Sequence, residues 1–216
     1  MNRKILFISV AGLLLLTFAI SVVLFQDHKA GKQSSSINNN ENALDRAGAP
    51  TKGSQDAKVT IVEFLDPACE TCRDFYPLVT QLIEQYPGKV RVVVRYAPLH
   101  PGSDQVVKML EAAHLQGKFW QALELLFANQ DRFVVHHTSE PMRALALLES
   151  LQLDRERFSA DMNHSRVAQV IQQDVEDGKR LNVQATPEFF VNGRPMPSFG
   201  YDQLSLLVKE AVAAAY

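Results

Sequence analysis

The sequence predicts an α/β domain with a mixed central sheet, assembled from a βαβ unit, a helical insertion and a ββα unit. One apolar segment, long enough to cross a membrane, precedes it. Three observations carry this reading. β-Branched runs at 59–65 and 90–96 flank an amphipathic helical pattern. Apolar residues then recur at helical spacing from about 103 to 181. Strand character returns at 188–191, closes on Asn192-Gly193 and gives way to a last helical stripe.

The chain of 216 residues has room for one well-packed domain and accessory segments. Its net charge is −2, with acidic and basic residues interspersed and no basic stripe, which argues against a nucleic-acid partner. At the N-terminus, Arg3-Lys4 precedes an uncharged run of 21 residues from Ile5 to Phe25. That length spans the hydrocarbon core of a bilayer, and the basic flank places the remainder of the chain outside the cytoplasm. An uncleaved anchor is the preferred reading. A signal peptide is the alternative, although Ala19 and Ser21 make a poor cleavage site. Both readings export the rest of the chain, to the periplasmic or extracytoplasmic side of the inner membrane.

Residues 26–56 are polar and irregular, with Ser34-Ser35-Ser36 and Asn38-Asn39-Asn40, and read as a flexible leash spanning roughly 30 Å. The domain is expected over 57–216. Val59–Leu65 is apolar and β-branched, as a buried strand should be. Phe75, Leu78, Val79, Leu82, Ile83 and Tyr86 fall on one helical face, stopped by Pro87-Gly88. Val90–Tyr96 is the next strand.

In the insertion, Val106, Met109, Leu110 and Ala113 mark one helix, and Phe119, Trp120, Leu123, Leu126 and Phe127 a second after Gly117. Ser139 reads as the N-cap of a third that has Pro141 in its first turn. Asp154 caps a short helix with Phe158 and Met162, and Val167, Val170, Ile171 and Val175 mark the last. After Glu188–Val191 the partner strand should include Met196 and Phe199, before a helix from Tyr201 towards Tyr216.

The chemistry centres on Cys69 and Cys72, the only cysteines. A structural disulfide across two residues would close a very short loop and contribute little. Structural zinc would need two further ligands, and no second pair exists. In an exported chain the reading left is a redox couple. The pair lies where a buried strand yields to a helix, so the unpaired N–H groups and the dipole there favour a Cys69 thiolate. Only the thiolate attacks a disulfide sulfur.

Four segments resemble the DsbA-like branch of the thioredoxin superfamily: Glu63-Phe-Leu-Asp-Pro-Ala-Cys-Glu-Thr-Cys72, Arg95-Tyr-Ala-Pro-Leu-His-Pro101, Gly117-Lys-Phe-Trp120 and Ala185-Thr-Pro-Glu-Phe-Phe-Val-Asn-Gly193. A CxxC alone is weak. Together with Thr-Pro-x-Phe-Phe-x-Asn-Gly across a helical insertion it is specific. The resemblance covers about 57–215 and implies a thioredoxin fold with a redox-active disulfide, Cys69–Cys72, and no other cofactor. It implies Cys69 as nucleophile, Cys72 as resolving thiol, and Thr186-Pro187 as the segment with a cis-proline against the cysteines. Glu63 falls where many members carry a buried acid that moves the proton of the resolving thiol. Its alternative is a solvated strand-end carboxylate.

Two departures bear on redox poise. Strong oxidants of this branch often have Pro-His between the cysteines, where this chain has Glu70-Thr71. Like-charge repulsion from Glu70 would disfavour the thiolate, by roughly 10–50 mV towards a weaker oxidant. Threonine before the proline, at Thr186, resembles isomerases and reductants of the superfamily. His100 could approach the site or be a surface loop residue. His136 and His137 are adjacent and do not share a helical face, and no His/carboxylate set has metal-ligand spacing in sequence, so no metal is expected. His28, His114 and His164 read as exposed or interfacial.

The function expected is thiol–disulfide exchange on exported protein thiols and disulfides, as oxidase, isomerase or reductase, with a membrane-bound redox partner to reset the pair. Alternatives are a Cu(I) metallochaperone or a peptide-binding chaperone using the same thiols.

Overall fold

The computed structural model describes Leu44 and residues 46–216. The readings made on residues 5–25 and on the leash up to residue 43 lie outside the described residues, as does His28. No helix among the described residues is long and apolar enough to cross a membrane.

Packing begins earlier than the composition suggests. Leu44 and Ala49 are buried, and Thr51–Gly53 forms an edge strand, β1. The boundary of 56 expected for the leash is therefore corrected. The sequence hides β1 because three residues show no periodicity, and its partner lies about forty residues away. β2 is Val59–Leu65 and β3 is Val90–Tyr96, paired in parallel from Val59↔Val90 to Leu65↔Tyr96 around the crossover helix α1, Glu70–Gln85. A two-stranded hairpin, β4 (Val134–Val135) and β5 (Thr138–Ser139), stands apart within the insertion. β6, Glu188–Val191, runs antiparallel to β2, and β7 is Arg194–Pro195. The five-stranded sheet has the order β1-β3-β2-β6-β7.

The insertion contains α2 (Ser103–Leu115), α3 (Phe119–Ala128) and the short α4 (Gln130–Phe133), which leads into the hairpin. Then come α5 (Pro141–Leu148), α6 (Arg155–Met162) and α7 (Ser165–Arg180). Asp154 does cap α6, its carboxylate accepting from the Arg157 N–H at 3.0 Å. Ser139 is not the cap of α5: it belongs to β5, and Glu140 is the capping position, with Pro141 in the first turn. The hairpin leaves no mark on the sequence pattern because each strand is only two residues long.

The last helix is α8, Tyr201–Ala215. β7 is shorter than expected, since Pro195 and Pro197 lack the N–H a ladder needs. Met196 N–H still reaches the Phe189 carbonyl at 3.1 Å, whereas Phe199 lies outside the sheet and rests on the Phe75 ring.

One sheet face, carrying Ile61, Val92, Phe189 and Val191, packs against α1 and α8. The other, carrying Val62, Phe64, Val93 and Phe190, is covered by Leu44, Ala49 and the residues that follow α7. The insertion builds its own core, and that core contains Cys69, Cys72 and the ends of β2 and β3 at Leu65 and Tyr96. The cysteines thus lie on the seam between sheet and insertion.

Candidate active site

Cys69 is the N-cap residue of α1, with extended backbone (φ −80°, ψ 118°), and Cys72 is one turn inside it. The loop that delivers Cys69 is shaped by Asp66. Its Oδ1 accepts from Ala68 N–H at 2.8 Å and its carbonyl from Cys69 N–H at 3.0 Å. Asp66 Oδ2 also accepts from the N–H groups of Leu99 and His100 and from Ser103 Oγ. A second brace is Gln130, whose Nε2 donates to the carbonyls of Pro67 and Cys69, each at 3.0 Å. The sequence reading missed Gln130. It is polar yet buried, but it occurs in a four-residue helix whose burial no pattern reveals.

Both thiols are free, Cys69 with 5% of its surface exposed and Cys72 with none. The difference suits an attacking sulfur and a shielded one. Cys69 is drawn down from 9.0 to about 5, foremost because the Cys72 thiol donates to its sulfur. The Thr186 hydroxyl and the N–H groups of Cys72 and Thr71 also favour the thiolate, and burial opposes them. Those N–H groups point at the sulfur without forming an aligned capping bond, as a helix terminus does for an anion. In the neutral form Cys69 Sγ instead donates to the Thr186 carbonyl at 3.1 Å, a hydrogen bond that the thiolate, having no proton, does not make. Cys72 moves the other way, well above the usual thiol range, because it is buried and is the donor in the pair.

The Thr186–Pro187 peptide bond is cis, and the approach of Cys69 to Thr186 shows that this segment lies against Cys69. Glu63 is buried, on the sheet face covered by α1, which removes the alternative of a solvated carboxylate. Burial, and then the Cys69 charge, push it up to about 8, and its Oε1 has no hydrogen-bond partner among the described residues. Glu63 in turn helps hold the Cys72 proton in place. Thus the structure brings Cys69, Cys72, Glu63, Thr186 and Pro187 together.

Glu70 Oε2 is turned to His137 Nδ1, 3.4 Å away. The balance at Cys69 favours the thiolate, chiefly through the Cys72 donor. His100 does approach the site, its Nδ1 2.9 Å from Asp66 Oδ2.

The family model for thioredoxin matches residues 45–210. Among solved structures, a thioredoxin-like oxidoreductase from Silicibacter pomeroyi DSS-3 is 30% identical with a TM-score of 0.70, covering 81% of this chain and 98% of that one. The catalytic domain of Proteus mirabilis ScsC superposes with a TM-score of 0.68 at 24% identity, covering 83% and 98%. Among curated relatives, Na(+)/H(+) antiporter NhaA 3 of Salinispora tropica is 37% identical over 168 residues, 76% of this chain but 25% of that protein. The chain spans about a quarter of the length of the curated relatives it matches.

Proposed function

The chain belongs to the thioredoxin family and is a DsbA-like thiol–disulfide oxidoreductase, and from that premise we propose that Cys69 and Cys72 exchange disulfides with exported proteins. The observation that supports this best is the asymmetry of the two thiols. One stands at a helix N-terminus and is drawn down to about 5; the other is fully buried and pushed well above the usual thiol range. A redox pair needs that division, because the thiolate is the nucleophile.

Starting from the reduced pair, the Cys69 thiolate attacks one sulfur of a substrate disulfide. A mixed disulfide forms and the other substrate sulfur leaves as a thiolate. The Cys69 charge is now gone, and with it one of the influences raising both Glu63 and Cys72. With that charge gone, Glu63 gives up its own proton to solvent; the carboxylate then takes the Cys72 proton, and the Cys72 thiolate attacks Cys69 Sγ, expelling the second substrate sulfur. Two electrons have passed from the pair to the substrate, and the Cys69–Cys72 disulfide remains. The reverse sequence oxidises a substrate dithiol. The cis Thr186-Pro187 segment, lying against Cys69, offers backbone to an extended substrate.

The apolar run 5–25 supports exported substrates, and a membrane-bound partner that resets the pair is part of the same proposal. Antiporter activity belongs to the much longer relatives and is not carried over. The test is insulin reduction and refolding of scrambled ribonuclease. Cys69→Ser should abolish both, and Cys72→Ser should accumulate a mixed disulfide that reductant releases. Full activity in Cys69→Ser would exclude the assignment.

A further inference from the structure

Three side chains far apart in sequence converge beside the thiol pair without a part in the exchange just described. They are Glu70 in the first turn of α1, His100 in the loop after β3, and His137 at the tip of the β4–β5 hairpin. One ligand atom from each lies within 4.8 Å of the others. The His100 and His137 rings are 6.2 Å apart at 32°, and Glu70 Oε2 is 3.4 Å from His137 Nδ1. We propose that Glu70, His100 and His137 form a binding site for a divalent first-row transition-metal ion, separate from the Cys69–Cys72 pair.

The support beneath His100 is the first reason. Its Nδ1 is 2.9 Å from Oδ2 of Asp66, a carboxylate with no exposed surface that is also held by Leu99 N–H, His100 N–H and Ser103 Oγ. An acceptor-only carboxylate makes Nδ1 the donor, so Nε2 keeps its lone pair for a ligand. A histidine that binds metal through one nitrogen almost always donates from the other to such a group.

The hairpin is the second reason. His136 and His137 both adopt left-handed backbone, with φ of 48° and 59°, at a turn where glycine or asparagine is the unstrained choice. The hairpin is docked on the His100 loop by the Ser139 N–H, which donates to the Pro101 carbonyl at 2.9 Å. Strain of this kind persists where the surrounding structure holds a side chain in a required place.

The donor set defines the ion. Two imidazoles and one carboxylate, with no thiolate, suit zinc and its neighbours, and three protein ligands leave coordination positions open. Ligand atoms about 2.0–2.1 Å from tetrahedral zinc lie about 3.4 Å from one another. Closing from 4.8 Å needs only side-chain rotation, which Glu70 and His137 are exposed enough to make.

The test uses zinc alone at pH 7.5, by titration calorimetry on the full chain. Two forms are used, the disulfide form and the Cys69→Ser/Cys72→Ser variant, so that thiols take no part. Both should bind one zinc per chain, and His137→Ala and Glu70→Gln should each weaken the dissociation constant about 10-fold or more. His137 is a surface residue, so its replacement should leave the melting temperature unchanged. No saturable binding at millimolar zinc, or equal binding in His137→Ala, would overturn the site. Neither result touches the redox assignment, which rests on activities of the cysteine variants.

Discussion

At the scale of single residues, the site works through opposed environments for like groups. Two thiols three positions apart are moved in opposite directions, because one meets donors at a helix terminus and the other is buried as a donor. Glu63 extends the same logic. A carboxyl raised to about 8 binds its proton more tightly in the folded chain than in the unfolded one. Its contribution to stability is therefore fully present below the ordinary carboxylate range, and is lost as pH rises from about 4.5 through about 8. Glu63→Gln should remove that loss, so that the stability of the variant, measured by urea unfolding of the reduced form, falls less between pH 5 and pH 8. Exchange near neutral pH should slow about 10-fold or more if Glu63 takes the Cys72 proton. Identical pH slopes in the two proteins would mean that Glu63 is not held protonated.

At the scale of elements, the short pieces carry positions that the long ones cannot. Helix α1 supplies the terminus for Cys69, yet the loop before it is braced by Gln130 of the four-residue α4 and by Asp66. The β4–β5 hairpin reaches the His100 loop through a close approach at Gly102. This glycine has φ of 79°, and a Cβ there would lie 2.7 Å from the Ser139 carbonyl oxygen. Backbone cannot yield as a flexible side chain does. Gly102→Ala should therefore cost more than about 1 kcal/mol of unfolding free energy and displace the hairpin. Denaturant titration and the His137 ring resonances would report the two effects, and an unperturbed protein would show that the approach is softer than the geometry implies.

At the scale of the molecule, one buried ionic cluster ties three distant segments together. The Arg95 guanidinium has no exposed surface and donates to Asp174 Oδ1 at 2.6 Å, to the Leu44 carbonyl at 2.9 Å, and to Asp177. Arg46 Nε also donates to Asp174 Oδ1 at 2.6 Å, and Asp174 Oδ2 accepts from the Tyr96 N–H. The cluster joins the segment before β1, the end of β3 and helix α7. It explains why Ala49 and Pro50, in a segment with no sequence periodicity, are buried. Removing one partner of a buried ion pair leaves an uncompensated charge, so Asp174→Ala should cost about 3–5 kcal/mol in equilibrium unfolding. A loss below about 1 kcal/mol would show that the cluster does not hold the segment.

The sequence by itself determined the long elements, their order and the placing of the thiol pair at the start of a helix. Periodicity over seven or more residues reports burial directly, and two cysteines one helical turn apart leave few chemistries open. The resemblance carried in the 63–72 and 185–193 segments added Glu63 and Thr186-Pro187 to the site. Tertiary structure decided what periodicity cannot encode: β1, the two-residue strands of the hairpin, the burial of Gln130, and the meeting of Glu70 with His100 and His137. These depend on residues tens of positions apart meeting in space, and a short segment offers too few residues to record its distant partner.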